Sequence, residues 1–147
     1  MKRVLINLLV CMPALLLMQC GSTANNTSNN VKYASGHEFE TLELVLEWPM
    51  VEEYINRFGK EYAIVDENDF FKCKNNSIVK LKDYTLYFSP DAEKELRIYV
   101  FGEKIEKNKY LLEIKMLNYL GGKQYFNAII VKEKGGLVLK QIEHYEI

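Results

Sequence analysis

The chain is poor in the residues that most often carry a chemistry. It holds two histidines, three cysteines and one tryptophan among 147 residues. His37 and His144 stand far apart, and no His/Cys spacing matches a zinc site. No glycine-rich loop leads into a helix as a phosphate cradle requires. Asp66-Glu67-Asn68-Asp69 lacks the glycine and terminal glutamate of a calcium loop, so it reads as an exposed acidic turn. Cys73 would need a neighbouring base to act as a nucleophile, and the sequence points to none. Glu143 and His144 alternate faces along a terminal strand, so they do not make a dyad. The expectation is therefore no catalytic residue, no metal and no cofactor. Nor is there an excess of one charge. The 19 Lys and Arg less Lys2 and Arg3, which belong to an N-terminal signal, stand against 20 Asp and Glu, a net charge of −3. That balance argues against nucleic acid or an anionic membrane as a partner of the folded part.

What is present begins at the N-terminus. Lys2 and Arg3 precede an apolar run from Val4 to Met18, and a polar stretch starts at Gly21. This is the layout of an export signal. As a helix the run would extend roughly 22 Å against a hydrocarbon core of about 30 Å, too short for a membrane span. Leu17-Met18-Gln19-Cys20-Gly21 resembles the lipobox of bacterial lipoproteins, with an aliphatic residue three before the cysteine and a small one after it. Gln19 stands where such boxes usually carry a small residue. The resemblance implies cleavage before Cys20, lipid attachment to Cys20 and a membrane anchor outside the cytoplasm. Cleavage after Ser22-Thr23-Ala24 is the competing route. Cys11 would leave with the signal, and Cys20 and Cys73 alone make no disulfide scaffold. With Cys20 acylated, Cys73 is expected as a small buried apolar residue; a Cys20–Cys73 bridge is the alternative.

Domain organisation follows: 1–19 as signal peptide, 20–35 as lipidated cysteine and spacer, 36–147 as a single folded domain. Asn25 to Asn30 is an unbroken run of Asn, Thr and Ser. It cannot bury enough surface to offset its ordering entropy, so a disordered tether is expected. The last part is long enough for one core, and all seven Phe lie in it.

Within that domain the spacing predicts one early helix. Pro49 suits a first helical position, Glu52 and Glu53 the first turn, and Gly59 the stop. Val51, Tyr54, Ile55 and Phe58 form one apolar stripe. Upstream, Leu42, Leu44, Leu46 and Trp48 alternate with Glu43, Val45 and Glu47, which reads as a strand. Short strands are expected at Tyr62–Val65, Phe70–Cys73, Ile78–Leu81, Tyr84–Phe88 and Leu96–Phe101. Gly121-Gly122 and Gly135-Gly136 then join Tyr110–Leu117, Tyr125–Val131 and Leu137–Ile142 as an antiparallel meander. The fold class is α+β, one early helix packed on a curved antiparallel meander.

That order resembles the cystatin/NTF2-like class in outline, and the segment from the helix through Phe58-Gly59-Lys60 is faintly similar to small lipoproteins of outer-membrane assembly. Neither likeness carries a site. Two functions stay open. One is a non-catalytic envelope lipoprotein that binds a protein or small ligand, with Tyr84, Tyr87, Tyr99, Tyr110, Tyr119 and Tyr125 candidates for a concave ligand face. The other is a small pocket enzyme on an NTF2-like cone, with a carboxylate or His144 as its base.

Overall fold

Residues 37–46 form a helix, not the expected strand. The computed structural model describes residues 31–146; the expected signal peptide, Cys11, Cys20, the expected spacer up to residue 30 and Ile147 lie outside the described residues. Helix α1 (His37–Leu46) starts after Gly36, whose φ of 104° favours glycine, and carries Glu38 and Glu40 in its first turn. Phe39, Leu42, Val45 and Leu46 are its buried positions together with Thr41. These fall on a helical stripe, and the Leu42-Leu44-Leu46 alternation that suggests a strand overlaps it by coincidence. Leu and Glu both favour helix, which decides the conflict. Trp48 is extended, as a residue before proline prefers, and it separates α1 from α2 (Pro49–Ile55). A 3-10 turn, Asn56–Phe58, completes the second segment. The early helix is thus two helices and a turn. Val51 and Ile55 of α2 are fully buried, and Tyr54 and Phe58 pack at the margin of the same core. Tyr62 Oη donates to the Gly59 carbonyl at 2.7 Å and fixes the exit.

All eight strands belong to one sheet: β1 (Val31–Tyr33), β2 (Glu61–Asp66), β3 (Ser77–Leu81), β4 (Tyr84–Phe88), β5 (Leu96–Glu106), β6 (Lys109–Asn118), β7 (Lys123–Glu133) and β8 (Gly136–Glu146). Their order is β1-β3-β4-β2-β5-β6-β7-β8. The meander describes only β5 to β8, each antiparallel to the next. The sheet as a whole is mixed. β2 lies between β4 and β5 and is parallel to both, while β1 is parallel to β3. β1 falls inside the expected spacer, whose residues 31–33 are therefore paired in the sheet.

Phe70–Cys73 is not a strand. Asp66 turns its carboxylate back to accept the backbone N–H groups of Phe70 and Phe71, each at 2.9 Å, and Asp69 and Lys72 adopt positive φ. That cap closes a tight turn where the aromatic pair alone suggests an extended run.

Both helices pack on one face of the sheet. Leu42, Val45, Leu46, Val51 and Ile55 meet Ile98, Val100, Leu112, Ile114 and Met116, all essentially without exposure. Each such side chain contributes about 1.5–3 kcal/mol when withdrawn from water. Phe39 reaches Phe71 and Phe88 at 5.0 and 6.0 Å between ring centres, and α1 also touches β6 and β8. The sheet therefore curls round α1. Irregular register at Lys104/Glu106 and at Ile129/Ile130 helps the long strands bend. Lys82, at the β3–β4 turn, reaches Glu43 and Glu47 on the outer side of α1, each at 2.5 Å.

Gly102 on β5 marks the tightest approach of the loop after β2. Asn68 exchanges hydrogen bonds with its backbone N–H and C=O at 3.2 and 2.7 Å, and a methyl group on Gly102 would fall inside the Phe70 ring. Gly102→Ala is expected to destabilise the domain by about 1–3 kcal/mol. Denaturant titration of G102A, F70A and the double variant checks this. The alanine should cost far less once Phe70 is truncated, and additive losses would contradict the packing described.

Candidate functional site

The tyrosines expected to line one concave face are divided between the two faces of the sheet. Tyr84 and Tyr110 point to the helix side and are buried. Tyr119 is exposed in the β6–β7 turn, where Asn118 Oδ1 accepts from the N–H of Leu120 and Gly122, each at 2.9 Å. Tyr87, Tyr99 and Tyr125 occupy strand positions of the opposite parity and lie half-buried on the face that neither helix covers. The concave side itself is filled by aliphatic and aromatic side chains.

Strand register arranges the uncovered face in rows. Val65 pairs with Tyr99, Tyr99 with Lys115, Lys115 with Tyr125 and Tyr125 with Tyr145. One row of the sheet thus carries three tyrosines and a lysine. The Lys115 ammonium lies 5.2 Å from the Tyr99 ring centre and 5.9 Å from that of Tyr125, a cation–π arrangement. The next row pairs Phe101 with Glu113, Glu113 with Asn127 and Asn127 with Glu143. Glu67 extends toward this row from the loop after β2, its N–H bonded to the Val100 carbonyl at 2.9 Å. Glu67, Glu113, Lys115, Tyr125 and Asn127 line a shallow cleft of about 150 Å³. Glu143 accepts from Gln141 and from Tyr145 Oη at 2.8 and 2.6 Å. Glu67, Glu113 and Glu143 form no ion pair among the described residues. At the margin, Lys94 lies 3.9 Å from the Tyr87 ring centre and is bound to Glu61 at 2.6 Å.

A second cleft, about 270 Å³, is lined by Asp66, Asp69, Cys73 and Asn75 with Ile64, Phe88 and Pro90. Burial pushes the Asp66 carboxyl up, against the two backbone donors that stabilise its charge. So the acidic run is not simply an exposed turn: Asp66 faces inward. Burial raises the Cys73 thiol as well, and the charge of Asp66 adds to the shift. A thiol held protonated beside carboxylates is a poor nucleophile. Cys73 is half-buried against the core, and no disulfide engages it among the described residues.

The histidines do not converge. His37 Nδ1 pairs with Glu40 at 2.8 Å and its Nε2 lies 2.7 Å from Lys132 Nζ. His144 stacks on Phe126, 4.8 Å between ring centres, and bonds Gln124. It borders a cleft of about 230 Å³ with Met50, Glu53 and Arg57 of the second helical segment. Among the described residues no group of three or more His, Cys, Asp or Glu side chains is placed to hold a metal ion.

Sequence reasoning missed Lys115, Glu67, Glu113, Asn127, Glu143 and Tyr145 as parts of one surface. Alternation along each strand could have placed them on the polar face, but their grouping depends on register between strands.

The inertness of Cys73 has a direct check. At mildly alkaline pH, iodoacetamide should modify the Cys73 peptide of the folded protein at least about tenfold more slowly than in denaturant, as followed by mass spectrometry. Equal rates would contradict a half-buried thiol raised above its usual range.

No family model, no curated protein and no solved structure matches this chain.

Proposed function

We propose that this chain is an envelope lipoprotein, anchored through Cys20, whose single domain is a non-catalytic binding module working through the uncovered face of its sheet. One observation carries the binding role: the helix side is a closed core, whereas the opposite side presents ordered rows of tyrosine, lysine and carboxylate. The anchor rests on the basic start, the short apolar run and the lipobox-like Leu17-Met18-Gln19-Cys20-Gly21. Among the described residues no helix is long and apolar enough to cross a membrane. A lipid on Cys20 would supply membrane attachment, and stable anchoring of that kind needs more than one acyl chain.

The topology suits a tethered binder. Chain from the anchor joins at β1, one edge of the sheet, and the tyrosine row begins at β5, four strands away in the order. That separation is roughly 19 Å at the usual strand spacing. The alternative, a pocket enzyme on an NTF2-like cone, draws no support from the described residues. Side chains fill the interior such an enzyme would use, and the ionisable groups of the peripheral clefts do not converge as nucleophile and base.

Mass spectrometry of the full chain extracted from membranes, wild type beside Cys20→Ala, tests the anchor. The wild-type N-terminus should be an acylated Cys20, and the variant should lose that species and its firm membrane association. An unlipidated wild-type N-terminus at Asn25 would sink the assignment.

A further inference from the structure

The two edges of the sheet differ in what they expose. β1 closes one edge with three residues, whereas β8 closes the other with eleven. Among the described residues β7 is the one strand that pairs with β8. The outer margin of β8 therefore presents a long row of main-chain N–H and C=O groups without a strand partner, a template for another strand. The side chains of β8 decide which strand fits. Ile129 pairs with Gln141 and Ile130 with Leu139, so Lys140 is the extra residue of a bulge. Lys140 reaches Glu133, and Glu143 accepts from Gln141 and Tyr145. These groups share the uncovered face with Val138, while Leu137, Leu139 and Ile142 pack toward the core.

Counted as one rung, Lys140 and Gln141 leave four rungs on each side of Ile142, back to Leu137 and on to Glu146. A second β8, antiparallel about a two-fold axis through Ile142 and normal to the sheet, keeps each face on its own side. Ile142 then meets Ile142 of the copy, and the Lys140–Gln141 rung meets Glu143. Leu139 meets His144, and Val138 meets Tyr145, which is 49% exposed in the single chain. Leu137 and Glu146 form the outermost rung. Every unlike pair occurs twice, as a two-fold requires. Moving the axis one rung either way sets Glu143 against Glu143 or Lys140 against Lys140, and like charges directly opposite are destabilising. A lysine and a bulge on an edge ordinarily oppose pairing with an arbitrary strand; opposite Glu143 of a copy, the same lysine selects that copy. We infer that the chain forms a homodimer by joining β8 to β8 of a second copy, antiparallel about Ile142, so that two eight-stranded sheets become one. With the axis normal to the sheet, both uncovered faces look the same way. The pairing does not rest on what that face binds.

The test uses the full chain purified from membranes in a non-ionic detergent, with micelles in excess over protein so that two anchors do not share one by chance. In a Cys73→Ser background, Val138→Cys/Tyr145→Cys is oxidised, dimers are separated on non-reducing gels, and their linked peptides are identified by mass spectrometry. Opposite residues of an antiparallel pair stand about 4.5–5.5 Å apart between Cα atoms, within disulfide reach. A 138–145 linkage between chains should form at least about tenfold faster than any linkage in Val138→Cys or Tyr145→Cys alone, whose like positions lie six rungs, roughly 20 Å, apart. In sedimentation velocity the wild type should be a dimer. Lys140→Glu should weaken it at least about tenfold, and Lys140→Glu/Glu143→Lys should regain most of that loss. Circular dichroism verifies that each variant folds. A wild type that stays monomeric at the highest concentration reached would overturn the inference. So would a 138–145 linkage no faster than in the single variants, or a charge swap that dimerises no better than Lys140→Glu.

Discussion

Everything in this domain depends on the seal between its two short helices and the concave side of the sheet. Leu42, Leu46, Val51 and Ile55 are fully buried against Ile98, Leu112 and Met116. An α2 of seven residues would be marginal alone in water; packing, not propensity, holds it. The same contacts let the long strands curl round α1. Because that interior is filled, the clefts of the described residues lie at its periphery.

The outer face is built by alternation. Every strand from β5 to β7 gives its buried positions to the helices and its intervening positions to the other side. On β6 this puts Tyr110, Leu112, Ile114 and Met116 inward and leaves Glu113 and Lys115 outward. Register then joins outward positions from separate strands into the tyrosine and carboxylate rows. The composition of the uncovered face is thus a by-product of the packing that holds the fold. A substitution there leaves the core contacts in place, whereas a side chain at Gly102 would run into the Phe70 ring.

Local patterns made several parts of this legible. The α+β class, the Pro49-to-Gly59 helical segment and the glycine-pair turns at 121–122 and 135–136 each follow from a few adjacent residues. Residues 42–48 misled because Leu42 and Leu46, four apart, lie with Val45 on one helical stripe, while Leu44, which completes the apparent alternation, is off it. Phe70–Cys73 misled because a carboxylate four residues upstream captures its N–H groups, a side-chain effect that periodicity does not register. The insertion of β2 between β4 and β5 was beyond reach for another reason. Parallel neighbours separated by some thirty residues leave no local trace. The candidate surface had the same obstacle: each of Tyr99, Lys115, Glu113, Asn127 and Glu143 could be placed on a polar strand face, but only inter-strand register brings them together.

The central claim is that the uncovered face, not a cleft beside the helices, is the surface the protein uses. Hydroxyl-radical footprinting of the full chain in intact envelope, compared with the purified chain in detergent, tests it most directly. Peptides containing Tyr99 and Tyr125 should be protected in the envelope, while Trp48 and Met50 at the helix junction stay as reactive as in the purified protein. Protection at Trp48 and Met50 with none at Tyr99 and Tyr125 would contradict the account.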